Sequence, residues 1–263
     1  MTDFRKYPRI PHLPGSARHG DDDQVPWASM QAFVGHRVVV TEKLDGANAG
    51  VSFVSGALQL QSRGHVLTGG ARERHFALFK AWAAAQEAAL YEALGERFVV
   101  YGEWLYARHT VFYDALPHYF VAFDVYDRST DTFLASGPRS DRLSGLPLAT
   151  PPIRFAGVLE SPADLDDLPG RSACKSPDWQ AGLRAATQEG EVAEWGDPER
   201  AIAQTDPSDE AEGFVVALED EERVLERAKW VRPSFVLAMT LSGSHWLSRP
   251  ILVNRLAMGA SLW

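Results

Sequence analysis

The sequence contains one cysteine, Cys174, so no internal disulfide can form, and it has no apolar run approaching the roughly 18 residues of a membrane-spanning helix. The opening stretch MTDFRKYPRIPHLPG lacks the apolar segment of a secretory signal. A reducing, cytoplasmic setting without membrane association is therefore expected. Net positive charge is also missing: 26 Lys and Arg against 35 Asp and Glu leave −9 at pH 7. A surface of that sign does not bind nucleic acid indiscriminately, so any such contact must be a local patch. The eight histidines are scattered, with no His-Glu-x-x-His or paired-cysteine spacing to hold zinc. The glycine fingerprints of Rossmann and P-loop nucleotide binding are absent too.

What remains is a globular composition, 45% hydrophobic and 23% charged over 263 residues, long enough for a closed core and a buried site. Residues 1–30 are rich in Pro, Gly and polar side chains and read as an irregular lead-in, with Asp21-Asp22-Asp23 as a solvated turn. From Arg37 the segment VVVTEKLDGANAGVSFV, β-branched at both ends around Asp45-Gly46, reads as antiparallel strands, followed by the alternating ALQLQSRG. Residues 71–94 space Phe76, Phe79, Trp82, Ala83, Gln86, Ala89 and Leu90 mostly by three and four, which predicts one long helix closed by Gly95. RFVVYGEW and HYFVAFDVYD are aromatic strands, a short helix falls within 138–150, and 160–210 is acidic with a weak helical pattern at Trp179 to Ala186. EGFVVALEDEERVLERAKWV predicts a hairpin turning at Glu219 to Arg223, before a mixed tail.

The chemically informative string is Thr41-Glu42-Lys43-Leu44-Asp45-Gly46, where a lysine leaves an apolar strand just before a tight turn. A Lys-x-Asp-Gly string arises by chance in roughly one protein of this length in fifteen to twenty. Alone it reads as a hairpin turn with Lys43 reaching solvent. Five further segments follow in order: Ser62 to Gly64 (SRG), Tyr101 to Trp104 (YGEW), Phe120 to Asp127 (FVAFDVYD), Glu212 to Val216 (EGFVV) and Arg227 to Pro233 (RAKWVRP). Together they resemble the ATP-dependent RNA ligases, of bacterial type, within the covalent nucleotidyltransferases that include DNA ligases and capping enzymes. The lead-in HLPGS and the tail HWLSRP are similar to bacterial RNA ligases as well.

The resemblance implies an α+β nucleotidyltransferase domain of antiparallel sheets flanked by helices, with the nucleotide between the sheets. It implies one domain over 1–263: lead-in 1–36, catalytic core 37–233 and tail 234–263. Related enzymes continue into an oligonucleotide-binding barrel of roughly 70 to 100 residues. Only 30 residues follow Pro233, so no such barrel is expected, which favours RNA over DNA as substrate. By motif, Lys43 would be adenylylated by ATP, Asp45 and Gly46 would complete its turn, and Glu42 would join the nucleotide-binding set. Arg63 would lie near the ribose and the 5′-phosphate end. Glu103 would hold the ribose hydroxyls, and Phe123 would stack on adenine beside Asp124. Glu212 would act near the lysine and bind metal, while Arg227 and Lys229 would contact phosphate. The usual Lys-x-Lys is here Arg-Ala-Lys, which keeps the first charge but replaces a compact ammonium by a planar fork.

ATP and Mg²⁺, with Mn²⁺ as a substitute, are the implied cofactors, and RNA with 5′-phosphate and 3′-hydroxyl ends is the implied partner in RNA repair, with an end-healing kinase or phosphatase supplied in trans. The chemistry suits these residue types. At pH 7 about one lysine in 2,500 is neutral, a cost of about 4.6 kcal/mol. Burial, Arg227, Lys229 and metal would lower the Lys43 pKa, whereas Glu212 and Asp45 alone would raise it. A basic strip from Arg5, Lys6, Arg9, Arg18, Arg63 and Arg232 would hold RNA in a salt-dependent way. The competing readings are a DNA ligase or GTP-using capping enzyme, and a catalytically silent module that binds RNA ends. His12, His65 and His109 carry no assigned chemistry, and Cys174 is expected to be inert.

Overall fold

The computed structural model describes residues 4–20 and 24–263; the acidic triplet at 21–23 lies outside them. Strands β1 (Arg37–Lys43), β7 (Ile153–Val158), β8 (Gly213–Glu219) and β9 (Val224–Val231) form a four-stranded sheet in the order β7-β1-β8-β9. Strands β2 (Ala47–Val54), β3 (Ala57–Ser62), β4 (Phe98–Trp104), β5 (Phe120–Asp127) and β6 (Thr132–Phe133) form a five-stranded sheet in the order β3-β2-β4-β5-β6. Every pairing is antiparallel. The α+β architecture of two antiparallel sheets and flanking helices is as expected, and among the described residues neither sheet closes into a barrel.

One expectation is overturned at a decisive place. Lys43 does not precede a hairpin. Strand β1 pairs with β7 and β8, whereas β2 pairs with β3 and β4, so Leu44-Asp45-Gly46 carries the chain from one sheet to the other. Asp-Gly between apolar runs is the usual hairpin signal, but here both β1 edges and both β2 edges are taken by other strands. The predicted 213–231 hairpin does form, as β8 and β9.

Side-chain alternation then sorts the four-stranded sheet into two faces. Val38 and Val40 join Phe214, Val216 and Ala228 in an apolar cluster with Leu13 and Phe33. Their neighbours Val39, Thr41, Lys43, Val215, Ala217, Arg227 and Lys229 line a cleft between the sheets. The five-stranded sheet buries its other face under the 71–94 region. That region is divided: a 3₁₀ turn (Ala71–Phe76), α1 (Ala77–Ala85) and α2 (Glu87–Leu94) replace the single predicted helix, with a break at Gln86 and Gly95 at φ 50° after the last turn. The break lets Phe79 and Trp82 from one piece and Leu90 and Leu94 from the other reach one core with Trp104 and Phe120.

The short helix predicted within 138–150 is α3 (Ser136–Leu143). The 160–210 region holds α4 (Trp179–Ala186), α5 (Gly190–Trp195) and α6 (Pro198–Ala203), packed with Phe112 and Leu252. After α7 (Pro233–Leu241) the tail returns to the body, where the buried Asn254 amide accepts from the Tyr113 N–H at 2.9 Å and donates to the Leu105 carbonyl at 2.7 Å. The lead-in is irregular but anchored. The Leu13 and Ala17 N–H groups donate to Lys229 and Val231 carbonyls at 2.8 and 2.9 Å, and Pro11 accepts from Lys229 N–H at 2.9 Å.

Candidate active site

The cleft between the sheets is a cavity of about 970 Å³, and Lys43 sits where the chain crosses it. The Lys43 Nζ donates to Glu212 Oε2 at 2.8 Å; the lysine side chain is 24% exposed and the glutamate 7%. The crossing is held rigid by backbone bonds that use Asp45 twice. Its Oδ2 accepts from the N–H groups of Thr110 and Val111 at 2.7 and 2.8 Å, and its own N–H donates to the Tyr113 hydroxyl at 2.8 Å. The Gly46 N–H donates to Glu103 Oε1 at 3.2 Å. A Cβ on Gly46 would come within 2.7 Å of both Leu105 Cδ2 and the Trp104 carbonyl, so only glycine lets β2 pass this close to β4.

Three carboxylates, Asp45, Glu103 and Glu212, thus face the lysines at 43 and 229 within one desolvated space, and the imbalance shows in their titration. Burial pushes Glu103 up to about 8, with Glu212 and Asp45 adding to it against Lys43. Burial raises Glu212 to about 7, opposed by Lys43 and Lys229. Burial also raises Asp45, against the two N–H donors on its carboxylate. For Lys43 burial favours the neutral amine, but Glu212, then Glu103 and Asp45, outweigh it and leave the pKa above its ordinary value. Without substrate the amine is therefore held as ammonium. Excess carboxylate at raised pKa is also a setting that accepts a cation, although no cluster of three His, Cys, Asp or Glu suited to metal exists among the described residues.

The other sequence-predicted residues divide. Arg63, Glu103, Phe123, Arg227 and Lys229 all line the same cavity as Lys43. Arg63 keeps its Nε buried without a partner, and Phe123 on β5 faces the cleft shared with Val215 and Ala217 of β8. The Glu42 carboxylate is engaged elsewhere. Strand alternation turns it away from Lys43, and it accepts from Arg154, the Ser172 hydroxyl and the Ala173 N–H, so it clamps the 171–173 segment while the residue still lines the cavity. Arg227 donates to Asp124 at 2.6 Å and to the Tyr7 hydroxyl at 2.7 Å, so its charge already has a partner.

The expected basic strip is dispersed. Arg232 is buried against Asp206 and lies 3.5 Å from Glu210, Arg5 pairs with Asp131 at 3.0 Å, and Arg18 lies over Trp27 at 3.6 Å. Lys6, Arg9 and Arg63 remain at the cavity. His12 is a core residue, with Nδ1 2.7 Å from the Ser16 hydroxyl. The buried Cys174 thiol is pushed up to about 12 by desolvation, consistent with an inert group. Tyr7 and Tyr113 carried no sequence signal, whereas His245 and Trp246 belong to the tail string HWLSRP; Tyr7, His245 and Trp246 line the cavity, and the Tyr113 hydroxyl accepts from Asp45 N–H.

No curated protein matches the chain in sequence. Among solved structures, variants of Naegleria gruberi RNA ligase are similar in fold. One, with ATP and manganese, superimposes with a TM-score of 0.51 at 17% identity, covering 80% of this chain and 53% of the ligase. Another, with AMP and manganese, gives 0.52 at 16% identity over 79% and 53%. The chain spans about half the length of these ligases. The family model described as RNA ligase matches residues 36–231, three quarters of the sequence and every motif from Lys43 to Lys229. By that match, the chain belongs to the RNA ligase family.

Proposed function

We propose that the protein is an ATP-dependent RNA ligase that works through a covalent adenylate on Lys43. The observation that carries this reading is the Lys43 Nζ, paired at 2.8 Å with Glu212 at the point where the chain crosses a cavity between the sheets. In the first transfer Nζ attacks the α-phosphorus of ATP, a P–N bond forms and pyrophosphate leaves. An RNA 5′-phosphate oxygen then takes the adenylyl group and frees the lysine. Finally an RNA 3′-hydroxyl attacks that 5′-phosphate, forming the phosphodiester and expelling AMP. Splitting one condensation into transfers with good leaving groups is what a covalent nucleophile contributes.

The chain's own groups have separable tasks. Phe123 stacks on the adenine, Glu103 accepts from the ribose hydroxyls, and Lys229 neutralises phosphate. Arg63 with its unpartnered Nε meets the 5′-phosphate end. Asp45 is a positioning residue, because its carboxylate is spent on backbone N–H groups. The related ligases hold ATP or AMP with manganese, and the carboxylate excess here fits a divalent ion. Glu212 would hold it with water and phosphate oxygens completing its shell, and it would supply positive charge that favours the neutral amine. Substrate RNA carries 5′-phosphate and 3′-hydroxyl ends, restored after damage by a kinase or phosphatase acting in trans. A lone buried cysteine and the absence of any described helix able to cross a membrane agree with work in the reducing cytoplasm.

The test is incubation with α-labelled ATP and Mg²⁺. A denaturation-stable AMP adduct on the wild type, absent from Lys43→Ala and not formed with GTP, is expected, followed by sealing of nicked RNA in preference to nicked DNA. A wild type that never carries the adduct would remove the proposal, and closure of DNA alone would turn it into a DNA ligase.

A further inference from the structure

The first basic residue of the Arg-Ala-Lys pair is engaged far from any open charge. Arg227 lies on β9 of the four-stranded sheet and Asp124 on β5 of the five-stranded sheet. Arg227 pairs across the ladder with Ala217, and Lys229 with Val215, so Arg227 lies two residues, about 7 Å, further along the strand from the Lys43 end. There the Arg227 Nη1 donates to Asp124 Oδ2 at 2.6 Å and to the Tyr7 hydroxyl at 2.7 Å, and the Tyr7 hydroxyl donates to the same Asp124 oxygen. The guanidinium also lies 4.3 Å over the Phe133 ring, leaving one nitrogen, Nη2, buried without a partner.

Tyr7 comes from the lead-in, outside the span that the family model matches. It is buried, and its ring packs 5.1 Å from Tyr101 and, edge-on, 5.0 Å from Phe123. Burial keeps the phenol well above its ordinary pKa, so the hydroxyl stays a donor. The strap around it holds both sheets. On one side the Arg5 carbonyl accepts from the Tyr101 hydroxyl at 2.8 Å and from Gln61 Nε2 at 2.9 Å; on the other, Pro11, Leu13 and Ala17 bond to the β9 backbone.

We infer that Tyr7, Asp124 and Arg227 form a clasp that joins the two sheets at the deep end of the cleft, with Tyr7 a positioning residue that backs Phe123 and sets the width of the adenine slot. The inference rests on the ligase reading and adds to it: Arg227 serves nucleotide affinity through the clasp, and Lys229 alone of the pair serves the transferring phosphate. A base stacked between Phe123 and the β8 face needs those walls at fixed separation, and Tyr7 is the contact that Phe123 and the clasp share. Loosening it weakens binding of the nucleotide without removing any group from the reacting atoms.

The experiment is a double-mutant cycle read on lysyl-AMP formation, with Tyr7→Phe, Arg227→Met and the double variant, each checked by thermal melting. Tyr7→Phe deletes one hydroxyl and no charge. It is expected to raise KM for ATP about tenfold while kcat stays within threefold. The double variant should be no worse than Arg227→Met alone, because the two act as one unit. Wild-type adduct formation reports on the ligase reading separately. An unchanged KM in a normally melting Tyr7→Phe, a loss confined to kcat, or multiplicative losses in the double variant would each overturn the clasp. Should Tyr7→Phe melt early, Asp124→Asn, which keeps the shape, is held to the same split.

Discussion

The two ends of the cleft hold two buried ion pairs of opposite design. At one end Lys43 meets Glu212 with Asp45 and Glu103 close by, so carboxylates are in excess and two of them are pushed up to about 7 and 8. At the other, Arg227 and Asp124 share a third partner, Tyr7. The first pair is unbalanced and, on the proposed mechanism, must come apart when the lysine attacks. The second balances one cation against one carboxylate and is tied down by a third partner. Placing imbalance where bonds change and satisfaction where walls must stay fixed is how one cavity can be both reactive and well shaped.

The sharpest way to break this contrast is to disturb the crossing itself. Gly46→Ala forces a Cβ against Leu105 and the Trp104 carbonyl, and we expect adduct formation to fall by about 100-fold or more, with Tm lowered by roughly 5 °C, in labelled-ATP and melting assays. Glu212→Gln should lower the maximal rate about 100-fold. Its signature is the pH profile. The Glu212 charge and hydrogen bond raise the Lys43 pKa, so removing the charge moves the limb on which the adduct rate rises with pH towards lower pH. A limb that stays in place would show that the glutamate does not govern the amine.

Glu103→Gln sharpens the comparison through stability. A folded-state pKa of about 8 against an ordinary 4.5 means the folded protein binds the extra proton between those values, so ligand-free stability falls as pH rises through that window. The variant should lack that fall and melt roughly 4 °C above wild type near pH 9. At the small end, Cys174→Ser should leave adduct formation unchanged, and thiol alkylation at pH 7 should not inhibit the wild type, because the thiol is buried and pushed up to about 12.

What was legible in the sequence followed from periodicity. The β8–β9 hairpin and α4 lie where alternating and helical spacing placed them. The ordered motifs led to Lys43, Glu103, Phe123, Glu212 and Lys229, which share one cavity. Local pattern failed where partners are distant. Asp-Gly looked like a hairpin because nothing within the segment reveals that β7 and β8 occupy the edges of β1. The Glu42 carboxylate points to Ser172, 130 residues away, and Tyr7 to Arg227, 220 residues away. Both side chains matter through contacts that no short window of sequence contains.

The anchoring of the lead-in on β9 has a consequence for how the molecule is made. Residues 11–17 leave the ribosome well before the backbone groups they bond to, at Lys229 and Val231. These residues must wait for a strand far along the chain, a pairing of high sequence separation whose loop-closure entropy makes it a late folding event. On the proposed reading, the nascent chain until then has Lys43 but an unlatched back wall. On that reading, competence to capture nucleotide arrives late in folding.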